Sequence, residues 1–386
     1  MKRVLVTIGG YLPGKNYGGP VTSISNFVEL LKDEYDIYIV TSNHDLRSSE
    51  RYVGISEGWN TVGLAKVKYL EDNELSNIHA LKSIIKDIMP DVIYHNGLYD
   101  HRLAIPVSLI SRDDNMPPFV FVPRGDLGPV FPERKKHIKK AYVIFMRYLI
   151  NRKRMIFQAT SLDEKRDVIN RMNIKDEDIS LIENIPTIVH GEVADIEKNK
   201  GHAKLIYFAR VHPTKNLLTA LKALKGVKGN VEFDVFGVIE DNEYWNLCQK
   251  AISELPDTIN VNYNGVVGHD QVYGHFLAHH ALLFPTRNKE NYGHTIVESI
   301  MAERPVIISD QSPWNDVVEF NAGWVYPGYA VDEYTYAIQA LVDMDQVEYS
   351  ELHNNIANYK KVKFSTETIK RDYIAMIEKA MAKVKG

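Results

Sequence analysis

Two carboxylates eight residues apart carry the most chemistry in this chain. They lie in Pro285-Thr286-Arg287-Asn288-Lys289-Glu290-Asn291-Tyr292-Gly293-His294-Thr295-Ile296-Val297-Glu298-Ser299. Glu290 follows a strand-like run, and Glu298 falls inside a helix pattern. A helix period of ~3.6 residues places Glu298 one turn past Thr295, near the helix mouth. Each carboxylate can accept from hydroxyls on a different part of a polyol. Gly293 permits close backbone approach, and the N–H groups of His294 and Thr295 can bind phosphate. Carboxylates flanking an anion-binding helix start suit a ligand with hydroxyls at both ends and phosphates between, and a nucleotide sugar is such a ligand.

Other loops offer weaker, complementary signals. Arg210 and Lys215 stand five residues apart in Ala209-Arg210-Val211-His212-Pro213-Thr214-Lys215-Asn216, just before a helix pattern. A guanidinium and an ammonium so placed can converge on one anion, and a diphosphate suits both; a solvated basic loop is the alternative. The segment from Gly9 to Pro20 holds Gly18-Gly19 directly before a helix pattern. It is neither G-x-G-x-x-G nor a P-loop, so it is either a phosphate cradle or a flexible turn. His95 ends a strand-like run, where it could face a cleft and bond a reacting group, or serve as a capping or core histidine. Arg124 ends the next run and could grip a phosphate or carboxylate; the alternative is a surface pair with Asp126.

These loops need strands behind them and helices after them. Arg3–Ile8, Asp36–Thr41, Asp91–His95, Phe119–Pro123 and Met155–Ala159 read as strands, with helical patterns such as Val21–Lys32, Leu75–Ile88 and Arg134–Asn151 between them. The rhythm restarts with strands at Lys204–Phe208, Val231–Phe236, Asn260–Tyr263, Ala281–Phe284 and Pro305–Ile308. Helical patterns there are Leu217–Lys225, Tyr244–Ser253, Thr295–Ala302 and Glu333–Met344, and the polar stretch Pro186–Gly201 reads as a linker. Strand–helix alternation implies α/β domains with parallel sheets, whose ligands bind beyond the carboxyl ends of the strands. Two such domains facing each other would form a cleft.

Composition bounds the class. The chain has 386 residues, 45% hydrophobic and 25% charged, which excludes disordered, collagen-like and disulfide-framework proteins and suggests two domains. Its single cysteine, Cys248, excludes an intrachain disulfide and multi-cysteine metal sites, and fits a reducing compartment. No apolar run reaches the ~18–20 residues of a membrane span, and the short apolar start lacks a cleavage site, so a cytoplasmic protein is expected. The net charge is −4, yet Arg102 to Arg154 holds twelve Lys/Arg against four Asp/Glu, leaving −12 elsewhere. That block could meet an anionic partner or form a solvated helix face.

With these motifs in order, the chain resembles a retaining glycosyltransferase of the GT-B fold, in glycosyltransferase family 4 (glycosyl transferases group 1). The E-x7-E pair Glu290 and Glu298, the Arg210…Lys215 pair, Gly18-Gly19, Pro90–Gly97 and Ile182-Glu183-Asn184 all match its pattern. The resemblance implies two Rossmann-like doubly wound domains facing across a cleft. Residues 1–188 form an acceptor domain, residues 200–365 a donor domain, and the last helix, 366–386, packs back on the first. Catalytic roles fall to Glu290, Arg210, Lys215 and His95. Donor binding falls to Gly18, Gly19, Asn291, Tyr292, Gly293, His294, Thr295 and Glu298, with Arg124 as a possible acceptor or phosphate contact. Glu290 would bind the transferred sugar, Glu298 the ribose, and the two cations the leaving diphosphate, without a metal or other cofactor. Asn291 and Ala209 stand where the family has glycines, and Arg124 where many members have histidine; Asn291 would narrow the sugar pocket.

The implied partners are a nucleotide-diphosphate sugar and a saccharide or lipid-linked acceptor, in surface polysaccharide or glycan biosynthesis. The basic segment 134–154, with Arg134, Lys135, Lys136, Lys139, Lys140, Arg147, Arg152, Lys153 and Arg154, could lie on an anionic membrane at the inner face. Its apolar residues occur on too many sides for all to face lipid, so much of that helix should pack in the core. No nucleic-acid module appears. Asp176-x-Asp178 and Asp343-x-Asp345 resemble metal motifs of another glycosyltransferase fold but fall outside the donor loops. The rival readings are a sugar-nucleotide epimerase of similar architecture, a nicotinamide oxidoreductase, which lacks its fingerprint here, and a non-catalytic membrane adaptor.

Overall fold

The computed structural model describes residues 1–128, 136–189, 193 and 196–383. The chain divides into two compact units, Met1–Ile185 with Thr366–Gly386, and Pro186–Ser365.

The first unit runs β1 (Lys2–Ile8), α1 (Gly19–Leu31), β2 (Tyr35–Ser42), β3 (Asn60–Val62), β4 (Ala65–Leu70), α2 (Asp72–Leu75), α3 (Ile78–Ile88) and β5 (Val92–Asn96). It continues with α4 (His101–Ile110), β6 (Phe119–Val122), α5 (Lys136–Leu149), β7 (Met155–Ala159), α6 (Leu162–Asp167) and β8 (Ile179–Leu181). Its sheet has the order β3-β4-β2-β1-β5-β6-β7-β8. Only β3 is antiparallel to its neighbour.

Adjacent strand residues point to opposite faces, and β5 shows both faces covered. Ile93 packs into a cluster with Leu81 and Ile84 of α3, Leu103 and Val107 of α4, and Val143 and Met146 of α5. Tyr94 instead stacks on Phe27 of α1, with ring centroids 4.7 Å apart. On that same face Phe27 meets Tyr373 of the last helix, α13 (Thr366–Ala382).

The second unit runs β9 (His202–Phe208), α7 (Leu217–Leu224), β10 (Asn230–Phe236), α8 (Asn242–Ser253), β11 (Ile259–Gly265) and α9 (His269–Leu277). It continues with β12 (Ala281–Phe284), α10 (His294–Met301), β13 (Val306–Ser309), β14 (Gly323–Tyr326), α11 (Val331–Asp343) and α12 (Gln346–Lys363). Its strands are parallel in the order β11-β10-β9-β12-β13-β14.

The order of strands reverses direction between β1 and β5 in one sheet and between β9 and β12 in the other. Such switch points leave a crevice beyond the strand ends, because successive connections there depart to opposite sides. The loops after β9 and β12 hold Arg210, Lys215 and Glu290.

Several elements differ from the sequence expectation. The helix expected over Leu75–Ile88 is interrupted. Asn77 accepts from the N–H groups of His79 and Ala80 and starts α3 afresh. Strand β4 is unannounced because its lysines alternate with buried Ala65 and Val67 near the sheet margin. Helix α12 buries Tyr349, Leu352, His353, Ile356 and Tyr359, a clean helical stripe that tyrosine and histidine mute in a hydrophobic reading.

Candidate functional site

The loops after β9 and β12 are stitched together by backbone. The N–H of Arg287 donates to the Thr214 carbonyl at 3.0 Å, and the Thr286 hydroxyl reaches the same oxygen at 3.1 Å. Buried Asn216, in the left-handed conformation at φ 61°, donates to the carbonyls of Pro285 and Gly328. This lacing sets Lys215 opposite Glu290. Its Nζ donates to Glu290 Oε1 at 2.6 Å, the same oxygen that accepts from the Thr286 hydroxyl at 3.0 Å. The N–H of Glu290 is held by the Gln311 carbonyl at 2.7 Å, on the loop after β13.

Helix α10 begins immediately beyond. Gly293, at φ 73°, is its N-cap, and its carbonyl accepts from Ile296 and Val297. A side chain at Gly293 would be strained in that backbone and would crowd Ile296. The N–H groups of His294 and Thr295 precede any intrahelical acceptor and head the helix dipole. The Tyr292 ring packs edge-on to His294 and to Trp314, whose indole N–H donates to the Tyr292 carbonyl. Asn291 is partly buried between Glu290 and this aromatic wall.

Glu298 occupies the second turn and is buried. Among the described residues no cation pairs with it, and burial pushes its carboxyl up to about 8. The Thr295 hydroxyl, one turn earlier, is buried without a partner. Unpaired buried polar groups are costly and call for a reason; a ligand bearing hydroxyls would supply one.

Arg210 and Lys215 do not share a partner. Arg210 reaches Glu240, on the loop after β10, which the sequence reading had not singled out. The available signal was its place just past the carboxyl end of a parallel strand neighbouring β9. Thr286, Asn216 and Gln311 were also missed, since their roles depend on contacts far apart in sequence.

In the first unit, Gly18 caps α1 at φ 63°, and its carbonyl accepts from Val21 and Thr22. Gly19 opens the helix, and Asp45 secures the preceding loop by accepting from the N–H groups of Lys15 and Asn16. His95 is fully buried rather than facing outward from its strand end. It shares the α3–α4 face of β5 with Ile93, meets Thr7 Oγ1 through Nδ1 at 2.8 Å and lies against Phe121. Burial pulls its imidazole down to about 4, so it is neutral near pH 7.

Arg124, at φ 56°, does not pair with Asp126. Its guanidinium donates to Asn96 at 2.6 Å, to the Tyr94 hydroxyl at 3.1 Å and to Asn184. Asp126 instead accepts from the N–H groups of Leu98 and Tyr99, and burial raises its carboxyl to about 6.

The two D-x-D sequences are consumed locally. Asp176 pairs with Lys165, Asp178 with Lys383, Asp343 accepts from Gln339, and Asp345 caps α12. Among the described residues, no group of three or more His, Cys, Asp or Glu side chains gathers to hold a metal ion.

In α5, Val143, Met146 and Ile150 just beyond it are buried, while Ile138, Ile144, Phe145 and Tyr148 are exposed. Arg134 and Lys135 lie outside the described residues, as does the side chain of Lys136. No helix among the described residues is long and apolar enough to cross a membrane.

Comparison with known proteins places this geometry. Anabaena HepE, solved in complex with UDP and glucose, aligns over 98% of this chain and 100% of its own, with a TM-score of 0.70 at 15% identity. Sucrose-phosphate synthase from Thermosynechococcus elongatus aligns over 99% and 100%, with a TM-score of 0.72 at 13% identity. WaaG, a glycosyltransferase involved in lipopolysaccharide biosynthesis, aligns over 99% and 100%, with a TM-score of 0.65 at 13% identity. No curated protein matches the sequence. Two α/β units of this topology define the GT-B fold. Residues 192–363 match the model of the glycosyl transferases group 1 family.

Proposed function

We propose that the chain is a retaining, metal-independent glycosyltransferase of family 4. It moves a sugar from a nucleotide-diphosphate sugar to a saccharide or lipid-linked saccharide during surface polysaccharide or glycan assembly. The observation that carries this reading is the Lys215–Glu290 pair at 2.6 Å, set at a switch point beside the α10 N-terminus. Glu298, buried and with no ion pair among the described residues, offers its carboxylate to the ribose hydroxyls. The first-turn N–H groups after Gly293, with Arg210 and Lys215, receive the diphosphate, and Glu290 holds hydroxyls of the transferred sugar.

In the reaction the bond from the anomeric carbon to the phosphate oxygen breaks, and its electron pair leaves with the diphosphate. Arg210, Lys215 and the helix start stabilise that developing charge. The acceptor hydroxyl attacks from the same face through an oxocarbenium-like state, and its proton passes to the departing phosphate oxygen. The first unit holds the acceptor, while Gly18-Gly19 at the start of α1 takes part in binding the donor. Arg124 takes part only by exchanging one of its present partners for the ligand. His95, neutral and buried against Thr7, fixes the root of the first loop.

The test is a thermal-shift screen over nucleoside diphosphates and nucleotide sugars, headed by uridine compounds because HepE holds UDP and glucose. A native-state ligand raises the melting temperature by mass action. The absence of any shift, or inversion of the free nucleotide sugar without an acceptor, would overturn the reading.

The exposed face of α5 supports a second element of the proposal. Ile138 and Tyr148 are 72% and 75% exposed, and Ile144 and Phe145 lie between them among Lys140 and Arg147. An apolar stripe edged with cations fits the surface of an anionic bilayer. We assign the protein to peripheral contact with the inner, cytoplasmic face of the membrane through this helix.

A further inference from the structure

The loop after β10 continues the sheet beyond its regular strands. The N–H of Ala209 donates to the Phe236 carbonyl at 3.0 Å, Val211 to Val238 at 2.9 Å, and Glu240 back to Val211 at 3.2 Å. Gly237, at φ 131°, makes this possible, because a Cβ there would lie 2.0 Å from the Ala209 carbonyl oxygen. Arg210 and Glu240 therefore ride on two zipped extensions of adjacent strands. The Glu240 side chain is 16% exposed and the Arg210 side chain 51%, so the carboxylate is the fixed partner and the long guanidinium the one free to roam. Arg210 NH1 donates to Glu240 Oε2, and among the described residues Nε and NH2 have no hydrogen-bond partner. Both Arg210 and Glu290 act electrostatically on the buried Tyr207 phenol, whose hydroxyl donates to the Lys215 carbonyl at 3.2 Å. The guanidinium thus belongs to the same neighbourhood as the Lys215–Glu290 pair.

We propose that Glu240 is a positioning residue for the glycosyl-transfer reaction: it grips one prong of Arg210 and aims the others at the leaving diphosphate. This rests on the reading that Arg210 binds that diphosphate. Glu240 carries a negative charge, which by itself repels the ligand. Its benefit lies in ordering a flexible side chain before the ligand arrives. A lost aim and a lost repulsion therefore change affinity in opposite directions.

The experiment measures calorimetric affinities for paired probes, UDP with UMP, GDP with GMP and dTDP with dTMP, on the full chain, and follows the pair whose diphosphate binds best. The readout is the preference for diphosphate over monophosphate, which isolates the groups touching the second phosphate. Arg210→Ala should lower that preference about tenfold, the scale of one charge-assisted contact. Glu240→Ala should lower it several-fold, Glu240→Gln, which can still accept from the guanidinium, less, and Glu240→Ala should have no further effect in the Arg210→Ala background. An unchanged or increased preference in Glu240→Ala, with Arg210→Ala still impaired, overturns the positioning role alone. A preference unaffected by Arg210→Ala overturns the diphosphate reading beneath it. Equal weakening of both probes in Glu240→Ala marks general disruption of the loop and also counts against the proposal.

Discussion

Glu298 is the side chain whose state the fold perturbs most usefully. Burial raises its carboxyl from 4.5 to about 8, so the free protein holds it protonated near pH 7. If ribose hydroxyls bind here, as proposed, they donate best to the ionised form, and ligand binding expels the proton. Affinity for the matching nucleoside diphosphate should therefore rise with pH, by up to about tenfold per unit below 8, and level off above it. Calorimetry from pH 6 to 9 would show this slope, and Glu298→Gln should flatten it. Stability runs the other way. Between about 4.5 and 8 the folded state binds more protons here than the unfolded state, so this group's contribution falls as pH rises through that window. Glu298→Gln should accordingly raise the melting temperature most near pH 8 and least near pH 5. The Lys215–Glu290 pair makes a different prediction. Removing either charge strands the other in a largely enclosed loop. Lys215→Ala or Glu290→Gln should cut transfer about 10²–10³-fold, a loss measurable as turnover of radiolabelled donor with the melting temperature checked in parallel.

At the scale of elements, the sequence disclosed what depends on local pattern and hid what depends on packing. The strands before the candidate site loops were legible because buried parallel strands are continuous β-branched runs. Glu290, Gly293 and Glu298 were legible because one loop and one helix start carry all three. The Arg210–Glu240 pair was not, since it needs the register of β9 against β10 across thirty residues. For His95 the sequence left a cleft-facing and a core reading open. Alternation along β5 puts it on the same face as Ile93, but only the packing of α3 and α4 shows that this face is closed. Helix α5 shows the limit most clearly. Its periodicity allowed apolar residues on several sides, and only the fold separates buried Val143 and Met146 from exposed Ile144, Phe145 and Tyr148. If those exposed residues enter a bilayer interface, the double variant Ile144→Glu/Tyr148→Glu should abolish co-sedimentation with phosphatidylglycerol-containing vesicles while leaving nucleotide binding intact. Undiminished sedimentation would remove the membrane from the proposal.

Over the whole molecule, the chain completes its first unit last. Helix α13 comes after the entire second unit, yet it buries Tyr373, Met376, Ile377 and Ala380. The Tyr373 hydroxyl accepts from Gln158 at 2.8 Å and donates to the Glu183 carbonyl at 3.2 Å, just before the chain leaves the unit at Ile185. Lys383 pairs with Asp178 at 2.7 Å and donates to the carbonyls of Arg152 and Met155. Burial of the three larger side chains is worth about 1.5–3 kcal/mol each, a sum comparable with the 5–15 kcal/mol that keeps a domain folded. A chain ending at Ser365 should therefore lose hydrogen-exchange protection in β5, β6 and β7, while β9, β10 and β12, built wholly from residues 186–365, keep theirs. Tyr373→Phe is the milder probe. It leaves the ring edge-on to Phe27 but strips Gln158 and Glu183 of a buried partner, at a cost of about 1–3 kcal/mol. Its exchange rates should rise in the same strands and nowhere in the second unit. Equal protection in both units after either change would show that the last helix is an appendage rather than the closing piece of the first sheet.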